Sequence, residues 1–310
     1  MLGQLFLLTV LVGYIQLAAT EPGINGLITQ LEQSNSSTLH YPTQLTQNIV
    51  PKQIHSHNDY WREVPVLTAI SLGVSSVEAD VWLVNGTLFV GHELAALTPN
   101  RTFDNLYIQP ILSLINAQNP KTPFTVNQTV PNGVFDTSNT TPLHLFVDMK
   151  TDGNETFPFV IQALEPLRSA GYLTTSSNDN ITRSAVTAIG TGNTPLDAVK
   201  ALEPRDFFFD GPLATLNDTS SNTTWGPSIS PIASVDYGAV VGWLGLAPIS
   251  DSQRAIITTL VNDAHSRNIT ARFWDTPGWP IRARDNVWTE LLNDGADWLN
   301  ADDLVSASKF

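Results

Sequence analysis

Between Ser75 and Leu83 the chain reads SSVEADVWL, a valine-rich run of strand length with two carboxylates, Glu78 and Asp80, at its centre. Successive side chains on a strand point to opposite faces. Glu78 and Asp80 therefore share one face, while Val77, Ala79 and Val81 share the other. An apolar strand of this kind buries charge, and buried charge needs a cation or a cationic partner.

The flanking chain repeats a strand–helix rhythm. Gln53 to Asp59 reads as a strand ending in the turn pair Asn58-Asp59, and Val64 to Leu72 as a helix with Pro65 in its first turn. Asn85-Gly86 marks a tight hairpin into Thr87–Val90. Tyr107 to Ala117 has helical apolar spacing, and Leu143 to Lys150 is the clearest third strand. Helices are expected over 157–170, 195–202, 251–268 and 286–293, and strands over 185–190, 206–211, 229–235, 269–274 and 298–300. Alternation sustained over about 250 residues predicts an α/β fold, a (β/α)8 TIM-type barrel. An open doubly wound sheet is the alternative, but no glycine-rich phosphate turn follows any strand.

In such barrels the reacting groups sit where strands end. Here His57 ends the first strand, Glu78 and Asp80 the second, and Asp148 and Lys150 the third. Asp210 ends the fifth, Asp236 follows the sixth, Trp274 and Asp275 end the seventh, and Asn300 the eighth. Glu78, Asp80 and Asp148 together make a hard-oxygen site suited to Mg²⁺, with Ca²⁺ possible, whereas zinc would favour His or Cys. Lys150 faces the same way as Asp148 and can hold a phosphoryl oxygen. His57 and His92 can serve as acid and base on opposite sides of a phosphorus centre. These are the parts of a phosphodiesterase.

Composition narrows the partners. The 310-residue chain is 42% hydrophobic and carries a net charge of −14 with 15 Lys+Arg. That balance argues against nucleic acid, which needs a basic footprint, and against charge-driven docking on anionic lipid. A small phosphodiester or phospholipid substrate, with at most transient membrane contact, suits it better. The apolar loop Val240–Leu246 reads either as core or as a lip touching acyl chains.

Leu5 to Ala19 is an apolar run followed by small residues, so residues 1–20 are expected to be a signal peptide. No Lys or Arg precedes the run, and an uncleaved anchor is the alternative. Ten N-x-[ST] sequons (Asn35, Asn85, Asn100, Asn127, Asn139, Asn154, Asn180, Asn217, Asn222 and Asn268) point to N-linked glycans and an extracellular, secreted protein. The chain has no cysteine, and a domain of this size can stand on its own core. Residues 21–50 read as a polar leader with one short helix, Gly26 to Gln33, and residues 51–310 as the barrel domain.

The blocks His55-Ser56-His57-Asn58-Asp59-Tyr60-Trp61, Val77-Glu78-Ala79-Asp80-Val81-Trp82, Val90-Gly91-His92-Glu93, Phe146-Val147-Asp148-Met149-Lys150 and Asn300-Ala301-Asp302-Asp303-Leu304 carry a resemblance. They are similar to the phosphatidylinositol-phospholipase-C-like phosphodiesterases, which include glycerophosphodiester phosphodiesterases and sphingomyelinase D enzymes. Within these the chain most resembles the fungal altered inheritance of mitochondria protein 6 family, over about residues 50–310. The resemblance implies an irregular barrel with His57 and His92 as acid/base pair, and Glu78, Asp80 and Asp148 around a magnesium-type ion. It further implies that Lys150 contacts phosphate and that Trp274 and Asn300 line the substrate pocket. Glycerophosphodiesterases carry His-Arg after the first strand, where this chain has His57-Asn58, which leaves the head group open. His55 has no counterpart in those relatives.

Other readings stand beside this one. Glu78 and Asp80 could pair with Lys150 alone, but one lysine cannot neutralise three carboxylates. His55 and His57 on one strand face also fit a binuclear amidohydrolase. That class needs further ligands on later strands, whereas His144 starts its strand and His265 lies on a helix. The remaining alternative is a non-catalytic secreted glycoprotein that keeps the barrel and its metal.

Overall fold

The computed structural model describes residues 23–218 and 222–310; the expected signal peptide, residues 1–20, lies outside the described residues. The chain divides into two compact units, Met1–Tyr41 and Pro42–Phe310. The first holds helix α1 (Ile24–Gln33), where a short helix was expected. In the second, Thr46 is buried and its hydroxyl donates to the carbonyl of Val134 at 2.7 Å, so the segment before the first strand packs into that unit.

From there the elements run β1 (Lys52–Ser56), α2 (Leu67–Ser71), β2 (Val74–Val84), β3 (Thr87–Val90), α3 (Gln109–Gln118) and β4 (Leu143–Met149). Next come α4 (Gly153–Ala163), α5 (Glu165–Ser169), a small ribbon β5 (Thr175–Ser177) and β6 (Asn180–Thr182), β7 (Val186–Gly192) and α6 (Leu196–Lys200). The chain continues through β8 (Phe207–Phe209), β9 (Gly211–Pro212), β10 (Ile232–Asp236), α7 (Tyr237–Val240) and α8 (Asp251–His265). It ends with β11 (Thr270–Trp274), α9 (Ile281–Asn293), β12 (Leu299–Ala301) and α10 (Leu304–Ala307).

The central sheet is mostly parallel. One ladder has the order β12-β1-β2-β4-β7-β8, and a second the order β11-β10-β9. Asp210 alone separates β8 from β9, and an isolated parallel bridge pairs Arg272 of β11 with Trp298, just before β12. This α/β arrangement is compatible with a TIM-type fold. β3 is the antiparallel exception, folded back on β2 across Asn85-Gly86, where both residues take positive φ as a tight hairpin requires.

Two expected helices are cut at a proline. Residues 64–66 stay outside α2 because Val66, after Pro65, sits at φ +65° and begins the helix only from Leu67. The expected helix over 157–170 starts earlier, at Gly153, and breaks into α4 and α5 at Leu164. Pro166 has no N–H to continue the ladder. In the other direction, α9 begins five residues before the expected helix, its start set by Pro280 ahead of Ile281.

The pleat of β2 divides its side chains as expected. Val77, Ala79 and Val81 join the main apolar core with Leu145, Val147 and Met149 of β4. On the other face, Phe146, Ile189, Phe208, Ile232 and Trp298 form a separate small apolar cluster. Glu78 is in register with Phe146 of that cluster, and Asp80 with Asp148 one step further along the strands.

Candidate active site

Parallel pairing of β2 with β4 places Asp80 opposite Asp148, and the pleat brings Glu78 to the same face. One oxygen from each of Glu78, Asp80 and Asp148 lies within 4.8 Å of the others. The Lys150 ammonium stands 2.8 Å from Asp148 and 3.1 Å from Asp80, and it makes no ion pair with Glu78. One lysine thus faces three acids, and two negative charges are left over.

The proton affinities register that surplus. Burial, together with Glu78 and Asp148, pushes Asp80 up to about 6. Burial also raises Asp148, against the pull of Lys150. Burial acts on Glu78 in the same direction, but His55, His57 and Arg272 prevail and hold it below the usual carboxylate range. The backbone N–H of Asn58, itself in the left-handed region after β1, donates to Glu78 Oε2 at 2.9 Å.

Both expected histidines flank this cluster. His57 Nδ1 lies 3.0 Å from Asp302 Oδ1, and its Nε2 is 4.0 Å from Glu78. Burial disfavours the His57 cation, yet the hydrogen bond to Asp302 and the charge of Glu78 outweigh it and raise its pKa. His92 Nδ1 lies 3.3 Å from Asp80 Oδ2 and 3.1 Å from the Tyr60 hydroxyl. In both rings Nδ1 faces a carboxylate.

Asn300 and Trp274 take different places. Asn300 is buried on β12, accepts from Arg272 at 3.1 Å, and lines a cavity of about 140 Å³ with His57, Asp275 and Asp302. Trp274 ends β11, 37% exposed, and among the described residues no hydrogen bond or ring contact joins it to the acidic cluster. A larger cavity of about 400 Å³ opens at the strand starts, around His144 and Thr270, and contains none of the expected site residues.

Three residues of the site escaped the sequence reading. Arg272 lies inside β11 and is buried; it donates to Ser234 at 2.7 Å, pairs with Asp210 at 3.3 Å, and covers the Phe146 ring at 4.7 Å. A polar residue two before a strand end was its only trace. Tyr60 places its hydroxyl 2.7 Å from Asp80 and against the side-chain oxygen of Asn58. Asp302 lies in the Asn300–Leu304 block that carries the resemblance, but sequence gives it no role, and only folding brings it to His57.

The acid cluster fits a divalent cation on three grounds besides its charge. All three donors are hard oxygens. Asp148 Oδ1 is buried with no hydrogen-bond partner. Beside it stands Gly192 at φ +63°, where an added Cβ would come within 2.0 Å of that same oxygen. The space around the free oxygen is kept open by a residue without a side chain.

Residues 43–210 match the AIM6-like phosphodiesterase domain. The chain is 43% identical over 303 residues to the altered inheritance of mitochondria protein 6 homolog of Arthroderma benhamiae, covering 94% of this chain and 93% of that protein. It is 36% identical over 282 residues to the protein of that name from Eremothecium gossypii, covering 86% of this chain and 72% of the relative. For the Saccharomyces cerevisiae protein the identity is 32% over 284 residues, with coverages of 86% and 72%. These names state no reaction. With the domain matched over more than half its length and relatives aligned over most of it, the chain belongs to the altered inheritance of mitochondria protein 6 family.

Proposed function

We propose that the protein is a divalent-cation-dependent phosphodiesterase that cleaves a lipid or glycerophosphodiester-type substrate, with its strands closed into an irregular (β/α)8 barrel. The observation carrying this reading is the triad of carboxylate oxygens within 4.8 Å, flanked by His57 and His92. Barrel closure is supported by the single-residue gap at Asp210 and by the Arg272–Trp298 bridge, which link the two ladders at both ends.

Glu78, Asp80 and Asp148 would hold the ion, for which Mg²⁺ is the first choice and Ca²⁺ the second. When bound, it supplies Lewis-acid stabilisation of charge on the phosphoryl oxygens. Lys150, about a quarter exposed, can then turn its ammonium to a phosphoryl oxygen. One imidazole takes the proton of the attacking water or neighbouring hydroxyl, and the other returns a proton to the leaving oxygen as its bond to phosphorus breaks. Asp302 behind His57, and Asp80 with Tyr60 behind His92, keep Nδ1 of each ring occupied and Nε2 available. Asn300 and Trp274 would border the substrate.

A lipid-type substrate is favoured by the rim. Leu244, Leu246 and Trp279 are 61%, 69% and 77% exposed. Asn286 donates to the carbonyl of Gly245 at 2.8 Å, pinning the Leu244–Leu246 loop onto α9. The loop leading to Trp279 lines the His57 cavity through Asp275–Gly278.

Residues 1–20 as signal peptide, 21–50 as leader and 51–310 as catalytic domain complete the proposal, with the protein secreted and N-glycosylated. All ten sequon asparagines are exposed. No helix among the described residues is long and apolar enough to cross a membrane. The deciding experiment is turnover of a phosphodiester panel with Mg²⁺ and with chelator, in the native protein and in His57→Ala. Cation-dependent turnover lost in a folded variant supports an enzyme; chelator-insensitive turnover, or none on any diester, refutes this reading.

A further inference from the structure

We propose that His55 is a positioning residue for Glu78, its Nε2–H donating to the Glu78 carboxylate and fixing it for the divalent cation. This rests on the metal reading above. His55 is fully buried on β1, in register with Ser76 of β2 and Asn300 of β12. Its ring is held edge-on to Phe146 at 4.7 Å. Nδ1 lies 2.7 Å from the Ser76 hydroxyl. Nε2 is buried without a hydrogen-bond partner and stands 3.9 Å from Glu78 Oε2.

The surroundings choose the tautomer. If Nδ1 carried the proton, the lone pair of Nε2 would point at a buried carboxylate. If the Ser76 hydroxyl donates to Nδ1 instead, Nε2 carries the proton and faces Glu78 attractively. A shift of about 1 Å closes the gap to an ordinary hydrogen bond. Glu78 Oε2 already accepts from the Asn58 backbone, so His55 would supply the second anchor on that oxygen. Partners of this kind orient a ligand and tune its affinity for metal without touching the metal.

The test uses Mn²⁺ as probe, with titration calorimetry on the full chain as native protein, His55→Leu and His55→Gln. Losing such a partner weakens metal affinity about 10–100-fold. His55→Leu should show that loss, and His55→Gln, which keeps an N–H donor, should recover most of it. His55→Leu also removes the hydrogen bond of the buried Ser76 hydroxyl, so the chelated variant should melt lower than native whatever the role of the ring. A merely structural histidine predicts that lower melting temperature with native Mn²⁺ affinity, so the affinity discriminates. Native affinity in His55→Leu, or no recovery in His55→Gln, overturns the proposal. ¹⁵N NMR of the chelated protein should place the His55 proton on Nε2, and a proton on Nδ1 also overturns it. If the native protein binds no Mn²⁺ but the proton is on Nε2, the metal reading falls and the His55–Glu78 pairing stands.

Discussion

His57 and Asp302, 245 positions apart in sequence, meet through a 3.0 Å contact between Nδ1 and Oδ1. A carboxylate at Nδ1 holds the proton there and leaves Nε2 as the working atom, directed to the Glu78 side of the site. Asp302→Asn keeps the shape but not the charge. We expect kcat on any diester the protein turns over to fall about 10²–10⁴-fold, with KM little changed. Steady-state kinetics at fixed Mg²⁺ measures the split; unchanged kcat would show that Asp302 is only a surface partner.

Crowded acid at Asp80 makes the cation-free protein pH-sensitive. Its folded pKa, about 6, lies above the 3.8 of an ordinary aspartate, so its share of stability is fully present below about pH 4 and is lost as pH rises through 6. Asp80→Asn removes that loss. In chelator the variant should melt higher than native at pH 7, by up to about 3 kcal/mol, and show no such advantage at pH 4. Paired thermal melts at the two pH values test this.

Gly192 stands where a side chain would strike the free oxygen of Asp148. Gly192→Ala adds a Cβ there and forces a non-glycine residue to positive φ. Stability should drop by about 1–3 kcal/mol. Mg²⁺ affinity by calorimetry should fall as well, because Asp148 must move. A variant that is less stable but binds Mg²⁺ normally would show that Asp148 Oδ1 is not the ligating atom.

Arg272 and Asp210 form a buried pair, and burial already raises Asp210 to about 6. Arg272→Met leaves that acid without its cation and should cost about 3–5 kcal/mol. Adding Asp210→Asn should return part of the loss, as denaturant titration of the double variant would show. If the second change gives nothing back, the pairing contributes little.

The apolar rim predicts interfacial behaviour. Trp279→Ala combined with Leu244→Ser and Leu246→Ser should reduce sedimentation with phosphatidylcholine vesicles roughly tenfold or more. Turnover of a short soluble diester should remain. Native protein that does not sediment with such vesicles would remove the rim from the function.

Much of the site was legible because it follows local rules. Strand periodicity puts Glu78 and Asp80 on one face and Asp148 with Lys150 on another strand's equivalent face, whatever the rest of the chain does. Asn85-Gly86 dictates its hairpin, since those residues tolerate the positive φ it needs. Helix limits were less legible: Val66 and Leu164 mark ends set by the neighbouring Pro65 and Pro166, against an apolar spacing that runs on.

Sequence alone thus determined the alternation of elements and which acids share a face, because both depend on neighbours a few residues apart. Tertiary structure alone decided who stands behind those acids. Tyr60 and Asp302 stand in sequence blocks that mark the site without naming their partners, and Arg272 comes from a late strand whose surroundings give no sign of one. It also decided that Lys150 pairs with Asp80 and Asp148 while Glu78 is served by the Asn58 backbone, since only strand register fixes such distances.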